Sequence, residues 1–194
     1  MKNSIRWGIL GCGNIAQKFV SDLQYVDKAM LYAVASNNRE RGERFAETHN
    51  ATKTYTNYES LANDENVDIV YIATTHNFHY SNTLLCLNAN KPVLCEKPFC
   101  IDQNQAKQLW QKAEEVGVTA MIAHEFRFAS ARMRVNELLA EGYLGPLHMA
   151  LMRLVGGTLG VSELRQLTEK DEADLGYGFV WALGSHYIDC LRNW

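Results

Sequence analysis

A glycine turn at residues 11–16 constrains the fold of this chain more than any other feature. It reads Gly-Cys-Gly-Asn-Ile-Ala and follows the apolar run Ile5–Leu10. In a dinucleotide-binding turn the first glycine permits the tight bend and the second lets a pyrophosphate approach the backbone. The small third residue lets helix and strand pack closely, and the helix N-terminus attracts the phosphates. The residues predicted to bind a nucleotide are Gly11, Gly13, Asn14 and Ile15. A glycine turn without a ligand is the alternative.

Short apolar runs alternate with helical patterns over the first 123 residues. The predicted strands are Ile5–Leu10, Met30–Ala35, Val67–Ala73, Pro92–Cys95 and Val118–Ala123. Between these strands, apolar residues recur with the period of a helix. Asp102 with Gln105 is typical of a capping box at the start of one of the helices. Unbroken apolar strands are buried on both faces, as in parallel sheets. The pattern predicts a doubly wound parallel α/β domain over 1–123.

The pattern changes after residue 123. Phe126–Ala140 is predicted to be a helix and Leu147–Val155 a strand, followed by a polar segment whose charged centre is Lys170–Asp174. The last segment, Phe179–Trp194, is apolar and ends without a turn signal. We expect residues 124–194 to be the first part of an α+β substrate domain, in a chain that is an N-terminal fragment.

Composition argues against several classes of function. Lys and Arg number 19 and Asp and Glu 22, so the net charge is −3, and no basic cluster favours nucleic acid. No run of about 18 apolar residues predicts a membrane span. Five cysteines without a Cys-x-x-Cys pair favour free thiols, a reducing compartment and therefore a cytoplasmic location.

The end of the second strand bears on cofactor choice. An NAD site usually places Asp or Glu there, about 20 residues past the glycines, to bind the ribose hydroxyls. Here the stretch contains Ser36, Arg39 and Arg41 and no acid at the strand end. Guanidinium groups pair well with a 2′-phosphate. NADP(H) is therefore favoured, NAD(H) stays possible, and an exposed helix start with solvated charges is the alternative.

His76 and His79 follow the strand predicted at Val67–Ala73. Two histidines at this spacing could share a metal ion, but one pair without a nearby third ligand is a weak zinc signal. A loop lining a ligand site is favoured, because open α/β sheets bind ligands at the carboxyl ends of their strands. No metal is predicted.

Two further groups have chemistry compatible with hydride transfer. Lys97, in Glu96-Lys97-Pro98, follows a predicted strand and could donate to a substrate oxygen, although this tripeptide is also a common surface turn. Proline at 98 raises the chance of a cis peptide. His186 and Asp189 share a predicted helix face. A histidine can exchange the hydroxyl proton, while a lone helical histidine is more often structural. His49, His124 and His148 are interpreted as ordinary positions.

Taken together and in order, these motifs resemble the glucose-fructose oxidoreductase / inositol dehydrogenase (Gfo/Idh/MocA) family. Residues 11–16 resemble its nucleotide turn, 72–79 its segment around the nicotinamide ribose, and 93–98 its hallmark with a catalytic lysine. Residues 125–128 resemble the start of its second domain, and 176–178 with 184–189 the entry to its substrate helix. The resemblance implies two catalytic residues, Lys97 and His186. It adds cofactor contacts at Thr74, His76, His79, Glu96 and Lys97. The implied substrate contacts are Lys97, Arg127, His186 and Asp189.

Three features depart from the family pattern. Ala182 stands where an Asp is usual, four residues before the helix histidine, and Thr75 stands where Pro is usual. The chain is also shorter than family members. The expected activity is NADP-favouring hydride transfer to or from a carbinol carbon of a sugar, cyclic polyol or related diol, in a homo-oligomer. The alternatives are a non-catalytic nucleotide-binding or sensing protein, an inactive truncated relative of the family and, less favoured, a Rossmann methyltransferase.

Overall fold

The computed structural model describes residues 4–153 and 183–194. The chain divides into two compact units, Met1–Ala123 and His124–Trp194. The two units are built from different elements.

The first unit is built on a six-stranded parallel sheet in the order β3-β2-β1-β4-β5-β6. Its strands are β1 Ile5–Leu10, β2 Ala29–Ala35, β3 Lys53–Tyr55, β4 Ile69–Ile72, β5 Val93–Cys95 and β6 Ala120–Ile122. The strand order reverses beside β1, between β1 and β4. This is a Rossmann fold, and it confirms the predicted doubly wound sheet.

Five α-helices connect these strands: α1 Asn14–Leu23, α2 Arg39–His49, α3 Tyr58–Ala62, α4 His79–Asn88 and α5 Gln103–Val116, with a 3₁₀ turn at His76–Phe78. Side chains cap three of them. Asp102 accepts a hydrogen bond from the Gln105 amide, as the capping box predicts, and Asn38 and Asn57 cap α2 and α3 in the same way. Gly117 ends α5 in the left-handed conformation.

Buried apolar residues form two clusters. One contains Ile9, Val34 and Tyr71 of the sheet with Ala16 of α1 and Phe45 of α2. The other packs further sheet residues against α3, α4 and α5. The central strands are buried on both sides, which explains why they appear in the sequence as unbroken apolar runs.

Three elements of this unit have no clear apolar pattern and were not predicted. β3 is a three-residue edge strand with polar side chains; Tyr55 Oη and Lys53 Nζ donate to Asp64 Oδ2. α3 has only five residues. α4 buries the polar residues His79, Asn82 and Thr83 beside its apolar ones, which hides its helical period.

The second unit contains a 3₁₀ turn at Glu125–Phe128 and the helices α6 Ser130–Ala140 and α7 Ser185–Asn193. The helix predicted at Phe126–Ala140 is therefore interrupted, because Ala129 has extended backbone angles.

The strand predicted at Leu147–Val155 is wrong for residues 147–153, which have no strand partner among the described residues. The structure does not describe residues 154–182. The end of this predicted strand, the predicted polar segment and Ala182 all fall in that range. No helix within the described residues has the length and apolar character needed to cross a membrane.

Candidate functional site

The glycine turn lies where the strand order of the sheet reverses. The Gly11 amide donates to the Ala35 carbonyl at the end of β2 (3.0 Å), while the Ala73 amide after β4 donates to Leu10 (2.8 Å). Gly11 has φ +91°, and a Cβ there would lie 2.8 Å from the Ala73 carbonyl oxygen. Only glycine satisfies this position without strain. The sequence motif is thus explained by the packing of the turn itself.

Gly13 has the opposite surroundings. It is the N-cap residue of α1, no side chain caps this helix, and a Cβ at Gly13 would meet nothing within 4 Å. Asn14 and Ile15 follow it on the exposed first turn. The N-terminus of a ten-residue helix therefore faces open space, which is the arrangement a pyrophosphate needs.

A cleft of about 590 Å³ adjoins this helix end. Its lining comes from the turn and α1 on one side and from α2 on the other: Cys12, Gly13, Asn14, Gln17, Arg41, Arg44, Phe45, Thr48 and His49. Arg41 and Arg44 are three residues apart, so the two cationic groups share a helix face. Arg44 and His49 were missed by the sequence analysis; the helical spacing of 41, 44, 45 and 48 was the available signal.

The predicted 2′-phosphate residues separate into two groups. Ser36 is buried, and its Oγ accepts from the Asn38 amide (3.2 Å), while Arg41 lines the cleft. The Arg39 Nε instead donates to Glu43 Oε1 (2.7 Å), which raises the pKa of Arg39, and 77% of the Arg39 side chain is exposed. The position of Arg39 therefore does not support its predicted contact with the cofactor.

Cys12 lies inside the nucleotide turn, with its thiol 3.9 Å from the Ala35 carbonyl oxygen. Burial raises the pKa of this thiol to about 11. A thiol in that state is a weak nucleophile at neutral pH, so Cys12 acts here as a small packing residue.

Glu96 is a buried carboxyl group at the end of β5. Its Oε1 accepts from Tyr71 Oη (2.5 Å) and its Oε2 from the Lys97 amide (3.2 Å). Burial raises the pKa of Glu96. The Tyr71 ring stacks on Phe19, with ring centroids 3.9 Å apart. Glu96 therefore holds the backbone at Lys97, which is half-buried and precedes a cis peptide to Pro98.

The loop after β4 is held by α4. His79 is fully buried, with Nδ1 2.7 Å from the Pro98 carbonyl oxygen and Nε2 3.0 Å from that of Thr74. Asn82 Nδ2 also donates to Thr74 Oγ1 (3.0 Å). The His76 and His79 rings are 5.5 Å apart between centroids. Within residues 4–153 and 183–194, no three His, Cys, Asp or Glu side chains are grouped so that they could hold a metal ion.

In the second unit, Arg127 and Asp189 bind each other. Arg127 Nε donates to Asp189 Oδ2 (2.9 Å), Arg127 Nη2 donates to Asp189 Oδ1, and His124 Nδ1 lies 3.2 Å from Oδ1. The guanidinium lowers the pKa of Asp189. His124, interpreted from sequence as an ordinary position, thus contacts a predicted site residue. Contact of Arg127 or Asp189 with substrate stays a prediction.

His186 lies on α7 with 1% of its surface exposed. Its ring stacks on Phe126, with centroids 4.0 Å apart, and its Nε2 lies 3.6 Å from Glu125 Oε1. The side chain of Glu125 is 55% exposed. Glu125 therefore provides an exposed carboxylate beside the buried imidazole.

Comparison with known proteins shows similarity over the first unit and beyond it. A family model described as "Oxidoreductase family, NAD-binding Rossmann fold" matches residues 5–124. Trans-1,2-dihydrobenzene-1,2-diol dehydrogenase from Mus musculus is 40% identical over 149 residues, which are 76% of this chain and 45% of that protein. D-xylose 1-dehydrogenase (NADP(+)) from Hypocrea jecorina is 31% identical across 95% of this chain and 54% of that protein. The chain spans about half the length of these curated relatives.

Solved structures show the same similarity. An NAD binding oxidoreductase from Klebsiella pneumoniae has a TM-score of 0.70 and 28% identity, over 73% of this chain and 40% of that one. A 3-ketoreductase from Actinomadura kijaniata, solved in complex with NADP and TDP-benzene, has a TM-score of 0.67 and 31% identity, over 72% and 43%.

Proposed function

We propose that this chain, which belongs to the Gfo/Idh/MocA family of NAD(P)-binding oxidoreductases, binds NADP(H) in preference to NAD(H) and serves hydride transfer at a carbinol carbon. The substrate class is a sugar, a cyclic polyol or a related diol. The observation that carries the proposal is the cleft where the uncapped N-terminus of α1 adjoins Arg41 and Arg44.

The residues around the cleft fit a phosphorylated dinucleotide. Gly11 keeps the turn tight, and Gly13 leaves the α1 amides open to the pyrophosphate. Arg41 and Arg44 bind the 2′-phosphate, with Ser36 at the neighbouring strand end. The names of one curated relative and one solved relative include NADP, which supports this preference. When bound, the nicotinamide supplies or accepts the hydride.

Lys97 polarises the substrate oxygen in this proposal. Its ammonium group donates to the oxygen of the alcohol or carbonyl and stabilises the negative charge that develops there. The Glu96 carboxylate holds the Lys97 amide, and Lys97 itself is half-buried, so its side chain is partly shielded from water. Such a group contributes most in the transition state.

His186 exchanges the proton of the substrate hydroxyl. Its imidazole takes the proton during oxidation and returns it during reduction. Glu125, 3.6 Å from His186 Nε2 and half-exposed, gives that proton a way to solvent. Arg127 and Asp189 support this arrangement by joining the 3₁₀ turn at Glu125–Phe128 to α7.

Two measurements test the proposal. Calorimetric titration should give NADPH an affinity at least roughly tenfold above that of NADH, as expected for a charge-assisted phosphate contact. Nicotinamide absorbance with D-xylose and with trans-1,2-dihydrobenzene-1,2-diol should report turnover. Lys97→Ala should lower that turnover by about a hundredfold or more while cofactor affinity changes less than a few-fold. Equal affinity for both cofactors, or full turnover by the variant, contradicts it.

A non-catalytic nucleotide-binding protein is the second candidate. Ala182 stands where the family usually has Asp, and His186 is almost completely buried. This candidate predicts NADPH binding without turnover of either test substrate, and an unchanged NADPH affinity in Lys97→Ala. The same titration and turnover assay therefore distinguish the two functions.

Self-association is part of the proposal. Exposed apolar side chains are concentrated in one stretch of the chain: Tyr143, Leu144, Leu147, Met149 and Leu151 each have more than half of their surface exposed. An apolar surface larger than scattered single side chains often marks a site of association. Size-exclusion chromatography with light scattering should show a dimer or larger species. A monomer at all concentrations contradicts this part and leaves the proposed chemistry unaffected.

A further inference from the structure

His79 joins the two loops that follow β4 and β5, and it does so from the interior of the protein. No part of its side chain is exposed. Nδ1 lies 2.7 Å from the Pro98 carbonyl oxygen, and Nε2 lies 3.0 Å from the Thr74 carbonyl oxygen. Because β4 and β5 are neighbouring strands, a single imidazole spans the carboxyl ends of both. A buried ring cannot stack on or bind a nucleotide, so direct cofactor contact does not explain this residue.

The charge state of the ring decides how many bonds it makes. A neutral imidazole carries one N–H and an imidazolium carries two, while both neighbours of this ring are carbonyl acceptors. Burial lowers the pKa of His79, and the charge of Lys97 acts in the same direction, so the neutral ring is favoured. The shorter contact is the one at Nδ1. A proton on Nδ1 forms the bond to Pro98 in either charge state.

We propose that His79 is a positioning residue for Lys97. Its Nδ1–H donates to the Pro98 carbonyl and so fixes the chain directly after the lysine. Glu96 Oε2 fixes the Lys97 amide directly before the side chain. The inference rests on the proposed role of Lys97, since a lysine that polarises a substrate oxygen needs a fixed backbone to hold near-attack geometry.

The two supports of Lys97 come from different cores. Glu96 is bound by Tyr71, which packs in the cluster that includes α1 and α2 residues. His79 begins α4, whose buried residues Cys86 and Leu87 belong to the other cluster. The backbone at Lys97 is therefore held by both layers of the unit. Removal of one support should displace the lysine without unfolding the sheet.

The ¹⁵N shifts of the His79 ring test the first step in the wild-type chain. Protonated and bare ring nitrogens are distinguished by long-range ¹H–¹⁵N spectra, assigned by comparison with His79→Phe. A protonated Nδ1 is expected, with Nε2 bare or also protonated. A bare Nδ1 overturns the proposal, because no bond to Pro98 could then exist. This measurement needs neither a substrate nor a cofactor.

Three variants test the second step. An Asn amide nitrogen replaces the Nδ1 donor, a Gln amide nitrogen replaces the Nε2 donor, and Phe keeps a ring without a donor. The readout is the methyl resonance of ¹³C-dimethylated Lys97, assigned by its loss in Lys97→Arg. We expect a shift larger than the linewidth in His79→Phe and His79→Gln, and a near wild-type position in His79→Asn. Tyr80→Phe, which removes only an exposed bond to Gln108, is the matched control.

An unchanged Lys97 resonance in His79→Phe overturns the proposal, and so do equal shifts in His79→Asn and His79→Gln. If His79→Phe does not fold, His79→Asn or His79→Gln supplies the assignment of the wild-type ring spectrum, which then still decides. With a substrate that the wild type turns over, His79→Phe should lower kcat roughly tenfold while the Kd for NADPH stays within a few-fold. Absence of turnover in the wild type would refute the proposed function, whereas the two spectra would continue to judge the role of His79.

Discussion

The carboxyl ends of β1 and β2 differ sharply from those of β4 and β5, although all four belong to one sheet. At β1 and β2 the chain leaves an open cleft, a bare helix end and two arginines on one helix face. At β4 and β5 the polar groups are buried and bound to each other: Glu96 to Tyr71, and His79 to the Thr74 and Pro98 carbonyls.

The difference separates two tasks that the proposed hydride transfer requires. An open, charged cleft binds and selects a cofactor, and changing one of its side chains alters affinity with little effect on the fold. Buried hydrogen bonds fix geometry, and removing one partner leaves an unsatisfied polar group inside the protein. The first region should therefore respond to mutation mainly in binding and the second mainly in stability and rate. Gly11 is the exception in the open region. Its positive φ and its close approach to the Ala73 backbone mean that a substitution there should affect stability.

The largest expected effect is a loss of stability at Gly11, the residue of the open region that does not follow the comparison. Gly11→Ala places a Cβ at 2.8 Å from the Ala73 carbonyl oxygen and forces φ +91° on an alanine, so the free energy of unfolding should fall by about 3 kcal/mol. Gly13→Ala meets nothing within 4 Å and should change it by less than about 1 kcal/mol while weakening NADPH binding. Urea denaturation followed by tryptophan fluorescence measures the stability of each variant, and calorimetry measures NADPH binding. Equal stability of the two variants would contradict the conclusion that the fold requires glycine at position 11 but not at position 13.

In the buried region, Tyr71→Phe should lower stability. This change removes the donor to Glu96 Oε1, and the unfolding free energy should fall by about 2 kcal/mol. Tyr80→Phe removes an exposed bond from the partly buried Tyr80 to Gln108 and should cost less than about 0.5 kcal/mol. Thermal unfolding of both variants is the measurement. A similar loss in each would mean that burial does not set the energy of these bonds.

The open region should respond in affinity alone. Arg41→Ala and Arg44→Ala should each weaken NADPH binding roughly tenfold and leave NADH binding almost unchanged, because each loses one phosphate contact. Arg39→Ala is the matched control, since that guanidinium pairs with Glu43. Calorimetric titration with both cofactors measures the effect. A loss in Arg39→Ala equal to that in Arg41→Ala would place the 2′-phosphate elsewhere.

The smallest expected effect is a pH dependence of stability that comes from the buried Glu96. Burial raises the pKa of Glu96 above its ordinary value of 4.5, so the folded chain holds this proton at a pH where the unfolded chain has lost it. Stability from this group therefore falls as the pH rises above 4.5 through the folded pKa. Glu96→Gln lacks the dependence. The unfolding temperature of Glu96→Gln minus that of the wild type should therefore increase as the pH rises above 4.5. If this difference stays constant or decreases, the pKa of Glu96 is not raised.

Much of the fold could be predicted because its signals are local. The central strands are buried on both faces and so appear as apolar runs, and Asp102 marks the start of α5 by its own side chain. β3 and α4 could not be predicted from such patterns. β3 is short and polar and is stabilised by pairing with β2, while α4 buries His79, Asn82 and Thr83.

The candidate site shows the same division. The glycine turn and Arg41 were predicted, because a motif of neighbouring residues carries the signal. Arg44 was missed. Arg39 was predicted together with Arg41, but its guanidinium pairs with Glu43, and only the position of each arginine on α2 shows which of them lines the cleft. Arg127 and Asp189 were predicted separately to contact substrate. The structure pairs them with each other, and no spacing between residues 127 and 189 could indicate that contact.

The sequence by itself determined the alternating parallel sheet, the nucleotide turn at 11–16 and the position of Lys97 after β5, because backbone sterics and apolar periodicity act over a few residues. Only the tertiary structure decided which polar groups meet. His79 is separated from Pro98 by 19 residues and Tyr71 from Glu96 by 25, yet each pair is in hydrogen-bond contact. The physical reason is that parallel strands are joined through crossover helices. Residues far apart in the chain therefore come together at one sheet edge, where burial requires every polar group to find a partner.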